Sequence, residues 1–366
     1  LDIDLQQVAE QALGDQTGAA VALDVATGEV LVMASKPDYD LNAFSPRLLP
    51  ATVADIEQRG AWTNLAVGGL YAPGSTFKTV VSIAGMRRGL SPDTFKVDCE
   101  GSLKVGNRIF RCDNGLGHHG DIALREALGE SCDVFFYAFG LATTPEAIAA
   151  EARELHLERT TGIELPNEKR GTIPDPAWKE KTKGERWFPG DTANMSIGQG
   201  DVLVTPLQMA CLAASLARNE VCTQPTLLHD PNHPRQHAAA LPLTPEQRAA
   251  LVDGMEACTN TTYPDDTASL LSTVAAFRIP GVRIAGKTGT AQVHGKGDVA
   301  WFICFAPIEH PQIAVAVAVQ GDQTTVGETF AGSQYAAPTA ALIMKKYFEK
   351  KARGAAASAP AVTLAP

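Results

Sequence analysis

The chain has 366 residues, 45% hydrophobic and 20% charged, which is enough apolar material for a sizeable folded core. A formal net charge of -10 argues against nucleic acid as a partner drawn in by long-range attraction. No apolar run reaches the roughly 18 residues of a membrane span; the opening at Leu1, with no starter Met or signal-like segment, reads as a trimmed chain, so a missing anchor says nothing about the native protein.

The first element expected is a helix over Asp2 to Leu13, with Leu5, Val8, Ala9 and Ala12 on one face. Two β-rich runs follow, Ala19 to Val25 and Val30 to Ala34, joined by a turn at Ala26-Thr27-Gly28-Glu29. From about Val53 to about Met255 the apolar positions are mostly helix-spaced and broken by Gly/Pro loops. Strands return at Arg283 to Gln292, Trp301 to Ala306 and Ile313 to Gln320, the last β-branched at every second place, as suits a sheet covered on both faces. A final helix is expected from about Gln334 to Lys350, and the Ala/Pro-rich tail 353–366 is expected to be disordered. The fold class is therefore α+β. Five antiparallel strands form one sheet, the first and last helices cover one face, and a helical lobe of about 53–255 is inserted on the other. The two together make a domain spanning 1–352, with a ligand cleft at their seam.

Three clusters carry the chemistry. Tyr71-Ala72-Pro73-Gly74-Ser75 reads as a loop ending in a helix start, with Lys78 three places on and on the same face as Ser75. A serine hydroxyl needs a base to become a nucleophile. Lysine serves only when neutral, a state favoured by burial, a helix N-terminus and a second cation, for which Lys287 is the candidate. Ser131-Cys132-Asp133 precedes a bulky apolar helix; Ser131 can pass protons and Asp133 can hold a lysine. Lys287-Thr288-Gly289-Thr290 lies in a strand, where Gly289 admits a ligand to the backbone. The Thr290 and Ser75 N–H groups can form an oxyanion hole, and Lys287, Thr288 and Thr290 suit a substrate carboxylate. Each cluster alone has a plain structural reading: a serine cap with an exposed lysine, a capping pair, or an edge strand whose lysine deters aggregation. Together, in this order, they describe a serine acyl-transferase built around lysine.

On these residues the chain resembles the transpeptidase domain of class B penicillin-binding proteins, most like penicillin-binding protein 2, the cell-elongation type. The likeness extends through Gly162-Ile163-Glu164-Leu165-Pro166, Trp187-Phe188-Pro189-Gly190-Asp191, Gly198-Gln199-Gly200 and Thr205-Pro206-Leu207-Gln208. It implies a D,D-transpeptidase. Ser75 would attack the penultimate D-Ala carbonyl of a peptidoglycan stem peptide, D-Ala would leave, and an amine of a neighbouring stem would resolve the acyl-enzyme. β-Lactam antibiotics would acylate the same serine. The resemblance further implies an inner-membrane anchor and a pedestal domain absent from this chain, a catalytic domain in the periplasm, elongation partners including a glycosyltransferase, and no organic cofactor. Rival readings are a serine β-lactamase, for which Glu164 is a superficial echo of a deacylating base, a β-lactam sensor, and an inactive scaffold.

Some elongation-type relatives hold zinc with two Asp, a His and a Cys at the spacing of Asp98, Asp113, His119 and Cys132, a donor set that suits a tetrahedral ion. Cys99 and Cys112 leave two alternatives open: a disulfide clasping a hairpin in an oxidising compartment, or either one in place of its neighbouring Asp. With seven cysteines, at least one is unpaired or bound to something else.

Overall fold

A computed structural model of the chain describes residues 1–112, 117–229, 237–260, 279–292, 297–322 and 330–358. Its centre is a five-stranded sheet. The hairpin β1 (Thr17–Asp24) and β2 (Val30–Lys36) forms one side, and β7 (Ala285–Ala291), β8 (Val299–Ala306) and β9 (Ile313–Gln320) form the other. Their order is β2-β1-β9-β8-β7, with every neighbouring pair antiparallel. The two ends of the sequence meet at the β1–β9 seam, where Thr17 pairs Gln320 and Asp24 pairs Ile313. β7 is an edge strand.

Side chains alternate across these strands, so each face makes its own core. Ala20, Ala22, Phe302, Val315 and Val317 face one way, with Leu5, Ala9 and Leu13 of the Ile3–Leu13 helix and Ile343 and Met344 of the closing helix. Asp2 caps the first helix by accepting from the N–H groups of Asp4 and Leu5, and Lys350 Nζ ties the last helix to the same carboxylate at 2.7 Å. The opposite face carries Val21, Leu23, Trp301, Ile303 and Ala316 against the helical lobe. Its central helix, Pro206–Arg218, is buried along nearly its whole length and opens with a capping box between Thr205 and Gln208. Among the described residues no helix is long and apolar enough to cross a membrane.

Two expectations need correcting. The stretch assigned to the helical middle contains four short strands, β3 (Val97–Cys99), β4 (Ser102–Val105), β5 (Arg108–Arg111) and β6 (Gly120–Ile122), paired β3 with β6 and β4 with β5. Three or four residues are too few to show an alternation in sequence. The closing helix, Ala337–Ser358, also continues past Gly354 into the tail expected to be unstructured. Alanines 355 to 357 are strong helix formers and extend a helix already nucleated.

Candidate active site

The nucleophile cluster folds as a 3-10 turn, Gly74–Phe77, running directly into the helix Lys78–Arg87. In a 3-10 turn residues three apart eclipse, which sets Ser75 and Lys78 in line. Gly74 adopts φ +55°, and a Cβ there would lie 2.5 Å from the Thr290 carbonyl oxygen. A Cβ on Gly289 would lie 2.9 Å from the Pro73 carbonyl oxygen and 3.1 Å from the Thr76 nitrogen. Two glycines thus let the turn bearing Ser75 and the backbone of β7 touch with no side chain between them. The contact is braced by Trp301, whose Nε1 donates to the Ala72 carbonyl at 2.9 Å, and by Gln199, whose amide donates to the Thr290 carbonyl at 3.4 Å.

Lys78 is fully buried. Its Nζ donates to the Ser131 carbonyl at 2.6 Å, to Ser131 Oγ at 3.2 Å and to Asp133 Oδ1 at 2.6 Å. Three acceptors match the three protons of an ammonium. Ser131 reaches this position in a left-handed conformation, φ +58°, which costs a non-glycine residue strain of the kind found at functional sites. Asp133 opens the Asp133–Thr143 helix, whose buried phenylalanines 135, 136 and 139 anchor it in the lobe.

Lys287 is also fully buried and donates to the Thr288 carbonyl at 3.1 Å. Burial pushes its ammonium down to about 8; the Lys78 charge lowers it further, while Cys258 and Asp133 act the other way. Two buried amines therefore face one carboxylate. The structure brings Ser75, Lys78, Ser131, Asp133, Lys287, Gly289 and Thr290 to one seam between sheet and lobe. Thr288 lies in the same stretch of β7, its Oγ1 3.7 Å from Cys258 Sγ in the last turn of the Pro245–Asn260 helix.

Behind this seam lies a second cluster. Cys99, Cys112, His119 and Cys132 bring one ligand atom each to within 4.8 Å of one another. His119 Nδ1 is 3.4 Å from Cys99 Sγ and 3.6 Å from Cys112 Sγ, and Cys112 Sγ is 3.7 Å from Cys132 Sγ. Tetrahedral zinc, with Zn–S about 2.3 Å and Zn–N about 2.0 Å, requires S···S near ~3.8 Å and S···N near ~3.5 Å. The donor spacing fits. The shared hydrogen bond with Cys132 holds the Cys112 thiol down to about 3 and pushes that of Cys132 up, and the bond to Cys112 raises His119 to about 9.

Of the alternatives left open for Cys99 and Cys112, this cluster matches the one in which they stand in place of Asp98 and Asp113. Asp98 is exposed and pairs across the ladder with Asp121, because successive strand residues point to opposite faces and it is Cys99 that turns inward. Asp113 lies outside the described residues. Cys99 and Cys112 are free thiols rather than a disulfide. The signal for this set was the run of Cys99, Cys112, His119 and Cys132 itself, soft donors that zinc takes as readily as carboxylates. Glu130 was not singled out in the sequence; its Oε2 lies 3.6 Å from His119 Nε2, the ring nitrogen opposite the thiols. Residues 130 to 133 thus alternate: Glu130 and Cys132 face the thiol cluster, while Ser131 and Asp133 face Lys78.

Residues 18–345 match the family described as the penicillin binding protein transpeptidase domain, and the chain belongs to that family. Among curated relatives it is 30% identical to peptidoglycan D,D-transpeptidase MrdA of Acinetobacter baumannii, over 87% of this chain and 50% of that protein. Among solved structures it is similar to Pseudomonas aeruginosa PBP2 in complex with WCK 5153 (TM-score 0.82, 32% identity, 95% of this chain and 74% of that one). It is also similar to PBP2 of Helicobacter pylori in complex with MreC (TM-score 0.82, 29% identity, 95% of this chain and 63% of that one). The chain spans about half the length of the MrdA relative it matches.

Proposed function

We propose that this chain is the catalytic part of a peptidoglycan D,D-transpeptidase that cross-links stem peptides through an acyl-enzyme on Ser75. The observation that supports it most is the fully buried Lys78, held by Ser131 and Asp133, at the start of the helix that Ser75 leads into. Ser75 Oγ attacks the penultimate D-Ala carbonyl and gives its proton to an amine. Burial, with the Lys78 charge beside it, lowers the Lys287 ammonium to about 8, so a neutral amine is available at this seam near neutral pH. Ser131, bonded to Lys78, is the hydroxyl through which that proton moves and through which it reaches the departing D-Ala. The N–H groups of Ser75 and Thr290, on backbones in direct contact, receive the oxyanion. The hydroxyls of Thr288 and Thr290 take the terminal carboxylate. A second stem's amine then resolves the ester, and β-lactams acylate Ser75 without being released quickly.

Glu164, the residue that could have suggested a β-lactamase, is engaged elsewhere. It accepts from Thr226 Oγ1 at 2.8 Å and from the Leu227 N–H at 2.9 Å, beside the β1–β2 turn and so at the sheet edge far from β7. The PBP2–MreC complex supports a partner of the MreC kind; our reading further places the whole protein in cell-wall elongation at the inner membrane, with this part in the periplasm beside a glycosyltransferase.

We infer further that Cys99, Cys112, His119 and Cys132 hold a structural zinc ion, which would join the β3–β6 segment to the start of the Asp133–Thr143 helix. Glu130 would orient His119 from the far side of the ring.

The test is incubation with a fluorescent penicillin. A long-lived adduct on Ser75, absent in Ser75→Ala, is expected, and rapid release of hydrolysed drug would overturn the reading in favour of a β-lactamase. Analysis of cross-linked products from peptidoglycan strands then separates a transpeptidase from a sensor.

A further inference from the structure

The Pro245–Asn260 helix takes no part in the steps above, yet its last turn is fastened to β7. Thr259 Oγ1 donates to the Ile284 carbonyl at 2.6 Å, just before the strand begins. A Cβ on Gly286 would lie 2.9 Å from Thr259 Cγ2, so the helix and the strand pack closely here. One residue earlier in the helix, Cys258 is buried, and its Sγ lies 3.7 Å from Thr288 Oγ1. Cys258 also acts on the charge of the buried Lys287 next to Thr288.

A threonine hydroxyl has one proton and can accept two hydrogen bonds. If that proton were given to a neighbouring acceptor, none would remain for a carboxylate. A thiol that donates to the threonine oxygen has the opposite effect: it fixes the rotor and leaves the hydroxyl proton facing the cleft. We propose that Cys258 is a positioning residue for carboxylate recognition, its S–H donating to Thr288 Oγ1 so that the Thr288 hydroxyl is aimed at the free carboxylate of the D-Ala terminus or of a β-lactam. This rests on the reading of Thr288 as a carboxylate ligand.

The test compares second-order acylation rates for a penicillin and its methyl ester, followed by intact-protein mass. The parent protein is expected to prefer the free acid. Cys258→Ala should shrink that preference by between about 2- and 10-fold, the span set by one net neutral hydrogen bond, the acid rate falling more than the ester rate. Cys258→Ser should restore the preference, since a hydroxyl can make the same donation. Equal losses for acid and ester in Cys258→Ala, with a lowered melting temperature, would mean mere packing and would overturn the proposal. Thr288→Ala separates the two layers. If it keeps the full preference, the carboxylate reading fails and the proposal with it. If it loses the preference while Cys258→Ala keeps it, only the role of Cys258 is refuted.

Discussion

Lys78 Nζ lies 2.6 Å from Asp133 Oδ1, although 55 positions of sequence separate them. The lysine is fully buried and the aspartate mostly so. A pair so placed is better judged by what happens when half of it is removed than by its own net worth.

Asp133→Asn leaves a buried ammonium without its counter-charge. Loss of about 3 kcal/mol of stability is expected, read from the midpoint of denaturant unfolding. The double variant Lys78→Met with Asp133→Leu should recover much of that stability while remaining unable to acylate. If the single variant unfolds at the parent's midpoint, the pair does not carry the cost assigned to it.

The pH dependence follows from Lys287, held down to about 8 by burial against an ordinary 10.5. Between these values the unfolded chain keeps a proton at this position that the folded chain has released. Its contribution therefore favours folding more as pH rises through that window, and the full penalty of a buried ammonium is present below pH 8. Lys287→Met should raise the melting temperature at pH 7, with the advantage fading toward pH 10.5. Acylation of the parent protein should climb from pH 6 to 9 with a midpoint near 8, and a flat profile would remove the buried amines from the proton path.

For the thiol cluster, metal analysis of purified protein is expected to find about one zinc per chain. Asp98→Ala should leave that content unchanged, whereas Cys99→Ser should lower it sharply. Glu130→Gln should weaken zinc by about 10- to 100-fold in competition with a chelator, the usual effect of removing a partner of a ligating histidine.

Gly74→Ala places a methyl group against the Thr290 carbonyl and forces alanine into a left-handed backbone. The conformation alone costs about 1–3 kcal/mol. Relief requires the nucleophile turn to back away from β7, so penicillin acylation should fall at least ten-fold with Ser75 intact. Circular dichroism would show whether the fold persists.

The sheet was legible because its strands are long. Ile313 to Gln320 repeats β-branched residues over eight positions, and the structure gives that strand the bounds read from sequence. The three clusters were legible because their residue types are unusual together, and the fold does bring Ser75, Lys78, Ser131 and Lys287 to one seam. What sequence left undecided depended on direction. Asp98 and Cys99 are neighbours, and only the register of β3 against β6 decides which turns inward. The approach of Gly74 to Thr290 joins two backbones, which leave no side-chain pattern to read. Nothing in the sequence tied Cys258 to Thr288, 30 positions on; the packing of the Pro245–Asn260 helix against β7 does.

The seam between β1 and β9 bears on how the molecule is made. Strand β1 is synthesised ahead of β9 and cannot complete the sheet until the chain from Asp24 to Ile313 has followed, a wait of roughly 15–60 s at common synthesis rates. During that interval the free flank of β1, alanine-rich with unpaired backbone groups, is open to any passing strand. Aggregation of products truncated before β9 is the expected outcome of closing a sheet with strands so far apart in one polypeptide.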